Sequence, residues 1–242
     1  MKPTLAAIAF LTRIPVGRVA SFESSDVSRS AAWFPLIGLL LGAIYGGAGV
    51  LLRPYLPLGV IALLLVAIDA LLTGALHLDG LADTADGFGG GKDREDVLRI
   101  MRDHHIGSYG AVAVILVIAL KVTSYSILLT HSAWFRLSIV VPTLGRWSML
   151  LLTATLPYAR ESQSVITGMR KSALIWGTLV TTAVLLLARS PRTWIATAAV
   201  VIVTAVFGLY CRGRISGVTG DALGANLELS ESAALLAYLW AA

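Results

Sequence analysis

The chain contains several apolar stretches of about 20 residues, which is the length an α-helix needs to cross a bilayer. Residues 31–52 are a clear case, since AAWFPLIGLLLGAIYGGAGVLL has no charged side chain. Only 14% of the 242 residues are charged, against roughly 25% in a typical soluble domain. Because lipid cannot hydrogen-bond an open backbone, such stretches must cross as helices. The sequence therefore predicts an all-α, polytopic helical membrane protein.

The apolar stretches predict about six spans in a single integral-membrane domain over residues 1–242. The expected spans are residues 31–52, 57–76, 111–130, 135–156, 173–188 and 194–211. The final apolar piece, 232–242, is too short to cross fully and predicts at most a partial seventh helix. The short apolar run at the start is interrupted by Arg13 and Pro15, with no small-residue cleavage site. It predicts an interfacial N-terminal segment rather than a signal peptide.

Small residues recur along the first expected span. Gly38, Gly42 and Gly46 are spaced four residues apart, so they share one face of a helix. A stripe of small residues of this kind lets two helix backbones approach closely in a membrane. We expect this stripe to pack against another span.

The densest polar run is HLDGLADTADG at residues 77–87, directly after the second expected span. Asp79, Asp83 and Asp86 stand at i, i+4 and i+7, so they share one face if the segment is helical. Three such carboxylates repel one another unless a cation lies between them. Oxygen ligands suit Mg²⁺ or Mn²⁺. The alternative is an acidic helix terminus or a solvated loop. Because ionisable residues next to a span are energetically costly, they are functional candidates, and this favours the metal site.

Two further polar segments carry candidate site residues. In the first, residues 88–110, an amphipathic helix is expected to precede the candidates Arg102, Asp103, His105 and Gly107. In the second, residues 212–231, the candidates are Gly217, Gly220, Asp221 and Asn226. Gly107 begins a glycine-rich turn that can approach a phosphate, and Gly217, Gly220 and Asn226 are expected to bind the substrate.

The positive-inside rule places the N-terminus and both polar segments in the cytoplasm, because most loop Lys and Arg then lie there. Every Asp and Glu except Asp69 also falls on that side. The two segments are therefore expected to converge on one site. Asp69 lies inside the second expected span, and its sequence position does not decide between helping this site and pairing with another helix.

Acidic residues, glycine turns and basic side chains at a membrane surface suit a substrate that contains a diphosphate. A metal ion held by the aspartates would stabilise the leaving phosphate. Arg102 would clamp phosphate, and Arg13 would either face a phosphate or snorkel to the headgroups. The net charge of +5, without a base-stacking module or basic stripe, favours anionic lipids and substrates over nucleic acid.

Six ordered pieces of the chain resemble the cobalamin synthase family, also called adenosylcobinamide-GDP ribazoletransferase or cobalamin-5′-phosphate synthase. They are FLTRIPV (10–16), FPLIGLLLG (34–42), HLDGLADTADG (77–87), RIMRDHHIGSYG (99–110), GRW (145–147) and TGDALGANLEL (219–229). The resemblance implies a multi-pass enzyme of the bacterial inner membrane that depends on Mg²⁺. It would join adenosylcobinamide-GDP to α-ribazole, or to its 5′-phosphate, and release GMP.

On this hypothesis Asp79, Asp83 and Asp86 hold the metal, and Asp103 and Asp221 complete the metal site or orient the attacking hydroxyl. Phosphate is held by Arg102, His105 and the glycines of 217–220. A departure concerns residues 104–105, where the family commonly has Ser or Pro followed by Arg and this chain has two histidines. His105 would then be a weaker and pH-dependent phosphate contact.

The sequence leaves two other functions open. A CDP-alcohol phosphotransferase has a similar aspartate spacing, but this chain lacks the Ala-Arg that normally follows the first Asp-Gly of that motif. A cation transporter would use Asp69, Lys121 and the motif carboxylates along a path, yet the charges cluster at one interface. The sequence leaves a homo-oligomer open.

Overall fold

The computed structural model describes residues 2–16, 26, 29–160 and 171–240, and these residues form ten α-helices and no β-strand. In the region of the expected N-terminal interfacial segment, residues 1, 17–25, 27 and 28 lie outside the described residues. A short 3₁₀ turn, Ala31–Trp33, leads into the second helix. The helices are α1 Lys2–Leu11, α2 Phe34–Leu52, α3 Leu58–Thr73, α4 Leu76–Gly90, α5 Arg94–Ile100, α6 Ser108–Leu128, α7 Trp134–Thr155, α8 Lys171–Ala188, α9 Pro191–Ile215 and α10 Gly220–Trp240.

The predicted polytopic helical architecture is confirmed, since each of the six expected spans is helical. Among the described helices, four are long and apolar enough to cross a membrane: Ala31–Leu52, α6, α7 and α9. Helices α3 and α4 meet the same criterion only together, and they bend by 89° at their junction. The apolar part of α8 is shorter than a typical span.

The bend between α3 and α4 separates the acidic motif from the span before it. Gly74 and Ala75 both adopt left-handed backbone conformations, with φ of 67° and 57°. Glycine does so readily, whereas alanine pays roughly 1 kcal/mol or more. The motif therefore begins a new helix across the end of α3, and the expectation that the second span runs straight into it was wrong.

Helix α10 replaces the expected polar segment and partial seventh helix. It runs without interruption from Gly220 to Trp240 over 21 residues. Its N-terminus is capped by Thr219, whose hydroxyl oxygen accepts a hydrogen bond of 3.1 Å from the amide of Ala222. Helices α4, α6, α7 and α9 all pack around α10, so its polar residues lie inside the bundle instead of in a loop.

Charged side chains within α10 form the centre of a buried cluster. Lys121 of α6 lies 2.6 Å from Glu228 and 2.8 Å from Glu231, and Arg146 of α7 also pairs with Glu231. These four side chains are at most 3% exposed. The expectation that every acid except Asp69 faces the cytoplasm was wrong for Glu228 and Glu231, because two basic residues of the spans draw them inward.

The same cluster explains Asp69. The hydroxyl of Tyr45 donates a 2.5 Å hydrogen bond to its carboxylate, and Lys121 and Arg146 each lie 3.8 Å from it. Asp69 therefore pairs with neighbouring helices and does not help the acidic motif. Because Asp69 and Lys121 serve as counter-ions to each other and to their neighbours, the structure gives the transporter alternative no support.

The glycine stripe of α2 packs directly on the backbone of α7, as expected. A Cβ atom on Gly38 would lie 2.7 Å from the Cα of Thr143, and one on Gly42 would lie 2.6 Å from the Cα of Ile139. Backbone atoms cannot move aside cheaply at such distances. The stripe therefore fixes how closely these two spans approach.

Gly38→Ala or Gly42→Ala is expected to destabilise the folded protein by about 1–3 kcal/mol, the usual cost of overpacking. Gly47→Ala in the same helix is the matched control, since a Cβ there would meet nothing within 4 Å. Thermal unfolding in detergent measures both. Equal midpoints for the Gly42 variant and the control would contradict this packing.

Candidate functional site

Helices α4 and α10 cross with their backbones in contact. A Cβ atom on Gly80 would lie 2.7 Å from the carbonyl oxygen of Asp221, and one on Gly224 would lie 3.2 Å from the Cα of His77. Glycine at both positions is what permits this approach. The crossing brings Asp221 beside the acidic motif, so these parts of the two polar segments meet, as predicted.

The side chains of four residues near the crossing form one electrostatic cluster, the carboxylate group: Asp79, Asp83, Asp86 and Asp221. Residues 76–90 are helical, with Asp79 exposed and Asp83 half-buried. Asp83 is repelled by the charges of Asp79, Asp221 and Asp86 and attracted by Arg160. Arg160 is a countercharge to this group and makes a 2.7 Å ion pair with Asp221.

Asp86 has a distinct structural role at the start of α6. Its two carboxylate oxygens accept backbone hydrogen bonds from Gly107, at 2.7 Å, and from Gly110, at 2.9 Å. A Cβ atom on Gly107 would lie 2.8 Å from the carboxylate carbon. Gly107, predicted to approach a phosphate, thus makes room for Asp86, which satisfies the orphan amides of the helix.

Asp86→Asn is expected to destabilise the protein by about 1 kcal/mol, because an amide offers a single acceptor oxygen to the two N–H groups. Metal affinity is expected to change little. Denaturation in detergent and Mn²⁺ titration separate the two effects. A large loss of Mn²⁺ affinity at unchanged stability would instead make Asp86 a ligand.

Arg160 is the site residue that sequence reasoning missed. It lies in a polar segment far along the chain from the acidic motif, and no local pattern marks it. Two backbone hydrogen bonds hold the segment in place, one from Ala159 to Val218 at 2.8 Å and one from Val218 to Pro157 at 2.9 Å. Gly217 lies beside Pro157 in this contact, so its small size serves the chain crossing rather than a phosphate.

The loop between α5 and α6 places three predicted residues at the surface, outside the carboxylate group. Arg102, Asp103 and His105 are all exposed. Nδ1 of His105 lies 2.7 Å from a carboxylate oxygen of Asp103. This hydrogen bond lowers the pKa of the Asp103 carboxyl below its usual value. Among the residues that the structure describes, only the chain that leads to Gly107 joins this pair to the site.

The other predicted phosphate contacts have varied surroundings. The Arg13 side chain packs against Gly74 at the bend before α4, and Arg13 is exposed. Gly220 faces open space at the N-terminus of α10. Asn226 is fully buried and donates a 3.0 Å hydrogen bond to Ser148 of α7. Its predicted role in substrate binding is not supported, because a phosphate would have to enter the helix interface to reach it.

The carboxylate group suits a divalent cation in its chemistry. Asp79, Asp83 and Asp221 offer only oxygen donors, the choice of Mg²⁺ or Mn²⁺, and Arg160 alone does not balance their charge. Within the described ranges, no three His, Cys, Asp or Glu side chains already stand at metal-binding separations. A cation at this group would therefore need further oxygen ligands, such as those of an anionic substrate.

Comparison with known proteins extends over nearly the whole chain. Residues 3–239 match the family model described as cobalamin-5-phosphate synthase. A protein of Rhizobium etli (strain CIAT 652) named adenosylcobinamide-GDP ribazoletransferase is 38% identical, over 97% of this chain and 95% of its own length. Relatives of the same name from Clostridium botulinum (strain Langeland) and Thiobacillus denitrificans are 37% and 33% identical, and each alignment covers at least 94% of both chains. No solved structure matched the chain.

Proposed function

Because the chain belongs to the cobalamin-5-phosphate synthase family, we propose that it is an adenosylcobinamide-GDP ribazoletransferase, the name its relatives carry. The acceptor hydroxyl of α-ribazole, or of its 5′-phosphate, attacks the phosphorus that carries the cobinamide. The bond from that phosphorus to the bridging oxygen breaks, and GMP leaves. The products are adenosylcobalamin, or its 5′-phosphate, and GMP.

The observation that carries this proposal is the meeting of Asp79 and Asp83 with Asp221 at the crossing of α4 and α10. We propose that these three carboxylates hold Mg²⁺. When bound, the ion neutralises charge on the diphosphate and on the departing GMP. Asp86 fixes the N-terminus of α6 through its backbone hydrogen bonds, and thereby also the loop between α5 and α6.

The chain's own residues orient the substrates and handle the proton. Arg160 stands beside Asp221 and is placed to draw a phosphate towards the carboxylates. We propose that the acceptor hydroxyl reaches the exposed loop that carries Asp103 and His105. There Asp103 orients His105 through Nδ1, which leaves Nε2 to accept the proton of the attacking hydroxyl. We place this site at the cytoplasmic face of the bacterial inner membrane, in keeping with the distribution of loop charges.

The direct test uses purified protein in detergent with adenosylcobinamide-GDP, α-ribazole and Mg²⁺. We expect stoichiometric release of GMP with a coloured corrinoid product, and no release when EDTA is added. A parallel reaction offers a CDP-linked lipid and an alcohol acceptor. Release of CMP there, with adenosylcobinamide-GDP inert, would replace this proposal by the phospholipid-forming alternative.

A further inference from the structure

An arginine-lined cavity lies next to the carboxylate group, between α5 and the segment that carries Arg160. Its volume is about 410 Å³, within the range of ligand pockets. Four of its lining side chains are arginines, namely Arg94, Arg99, Arg102 and Arg160. Among the described residues that line it, Glu95 is the one acidic side chain. The lining of the cavity therefore carries a net positive charge, and the proposed reaction involves only Arg160 among its arginines.

Two of these arginines are held in place by distant parts of the chain. Arg94 donates hydrogen bonds of 2.5 Å to the carbonyl of Ala159 and 3.2 Å to the carbonyl of Ile215. Carbonyl oxygens fix a guanidinium without neutralising its charge. Arg160 is held by its ion pair with Asp221. The charge of the cavity is thus built into the fold and does not come from mobile surface side chains alone.

Arg102 provides a guanidinium that is ready to bind. It is exposed at the cavity rim, and its side chain makes no hydrogen bond or ion pair with any residue that the structure describes. By contrast, Arg99 pairs with Asp96 at 2.5 Å. A guanidinium binds phosphate in a bidentate fork that an ammonium cannot match. Several arginines around one cavity with a single acid favour a phosphate over a carboxylate or a neutral ligand.

We propose that this cavity, lined by Arg94, Arg99, Arg102 and Arg160, is a phosphate-binding subsite for a nucleotide or ribazole phosphate. The inference rests on the proposed function for the identity of its ligand. Arg160 links the two regions, because a phosphate in the cavity competes with Asp221 for the same guanidinium. Binding there releases Asp221 to face Asp79 and Asp83 and brings the phosphate beside them.

The experiment measures binding of GMP and of α-ribazole 5′-phosphate to the purified full-length protein by calorimetry, in EDTA. Arg102→Gln is the main variant, since replacing this exposed side chain should leave the fold unchanged. Arg160→Gln is the second variant. Arg212→Gln is the matched control, because Arg212 is exposed near the C-terminal end of α9 and lies outside the cavity. We expect Arg102→Gln and Arg160→Gln each to bind at least one ligand about tenfold more weakly than wild type. The control should bind both ligands as tightly as wild type.

The two ligands identify the source of the phosphate. Weakened binding of GMP alone assigns the cavity to the leaving nucleotide, and weakened binding of α-ribazole 5′-phosphate alone assigns it to the acceptor. Wild-type protein that binds neither ligand, or variants that bind both as tightly as wild type, would overturn the inference. Failure of the proposed function is a different result, namely arginine-dependent binding without release of GMP from adenosylcobinamide-GDP.

Discussion

Asp83→Asn is expected to lower GMP release at least about 100-fold while the protein remains folded. Asp83 lies centrally in the carboxylate group, since Asp79, Asp86 and Asp221 all act on its charge. An amide keeps its shape but loses the negative charge that attracts a divalent cation, and with it the stabilisation of the leaving phosphate. Single-turnover release of GMP at saturating Mg²⁺ measures the loss.

Asp93→Asn provides a matched control for this variant. Asp93 is an exposed N-cap of α5 and accepts a 2.9 Å hydrogen bond from the amide of Asp96. Asn caps a helix about as well as Asp, so the same chemical change should leave turnover near that of wild type. Near-normal turnover by Asp83→Asn, or an equal loss in both variants, would remove Asp83 from the mechanism.

Glu231→Gln is expected to destabilise the protein by about 3–5 kcal/mol, the usual cost of removing one partner of a buried ion pair. Glu231 pairs with both Lys121 and Arg146, and all three side chains are at most 3% exposed. Both cations would keep their charge inside the bundle with fewer counter-ions. Chemical denaturation in detergent measures the change in unfolding free energy.

The control for this second prediction is an ion pair in water. Asp96 pairs with Arg99, whose side chain is 71% exposed, so Asp96→Asn should leave the unfolding free energy near that of wild type. The Glu231→Gln substitution is distant from the candidate site, since Glu231 lies ten residues beyond Asp221 on α10, about 15 Å along the helix. A stable Glu231→Gln protein would show that the buried cluster does not hold α10 in the bundle.

The parts of the fold that follow from local spacing were predictable. The offsets of Asp79, Asp83 and Asp86 indicated that a helix there would carry all three on one face, and the repeat of Gly38 and Gly42 predicted a close helix contact. Both patterns depend only on the 3.6-residue period of an α-helix. The convergence of the two polar segments followed from loop charge, because both were assigned to one side of the membrane.

The parts that depend on distant partners were not predictable in the same way. Glu228 and Glu231 suggested a polar interfacial segment, because their counter-ions Lys121 and Arg146 come from other helices. Arg160 reaches Asp221 through a backbone contact between residues 157–159 and Val218, which no local pattern announces. A buried charge can be recognised as satisfied only when its partner is known.

The central claim is that Asp83 of α4 and Asp221 of α10 serve one divalent cation. Mn²⁺ binding to purified protein, followed by electron paramagnetic resonance in the presence of GMP, tests it most directly. The account predicts that Asp83→Asn and Asp221→Asn each weaken Mn²⁺ binding at least about tenfold, while Asp93→Asn leaves it unchanged. Wild-type Mn²⁺ affinity in both site variants would contradict it.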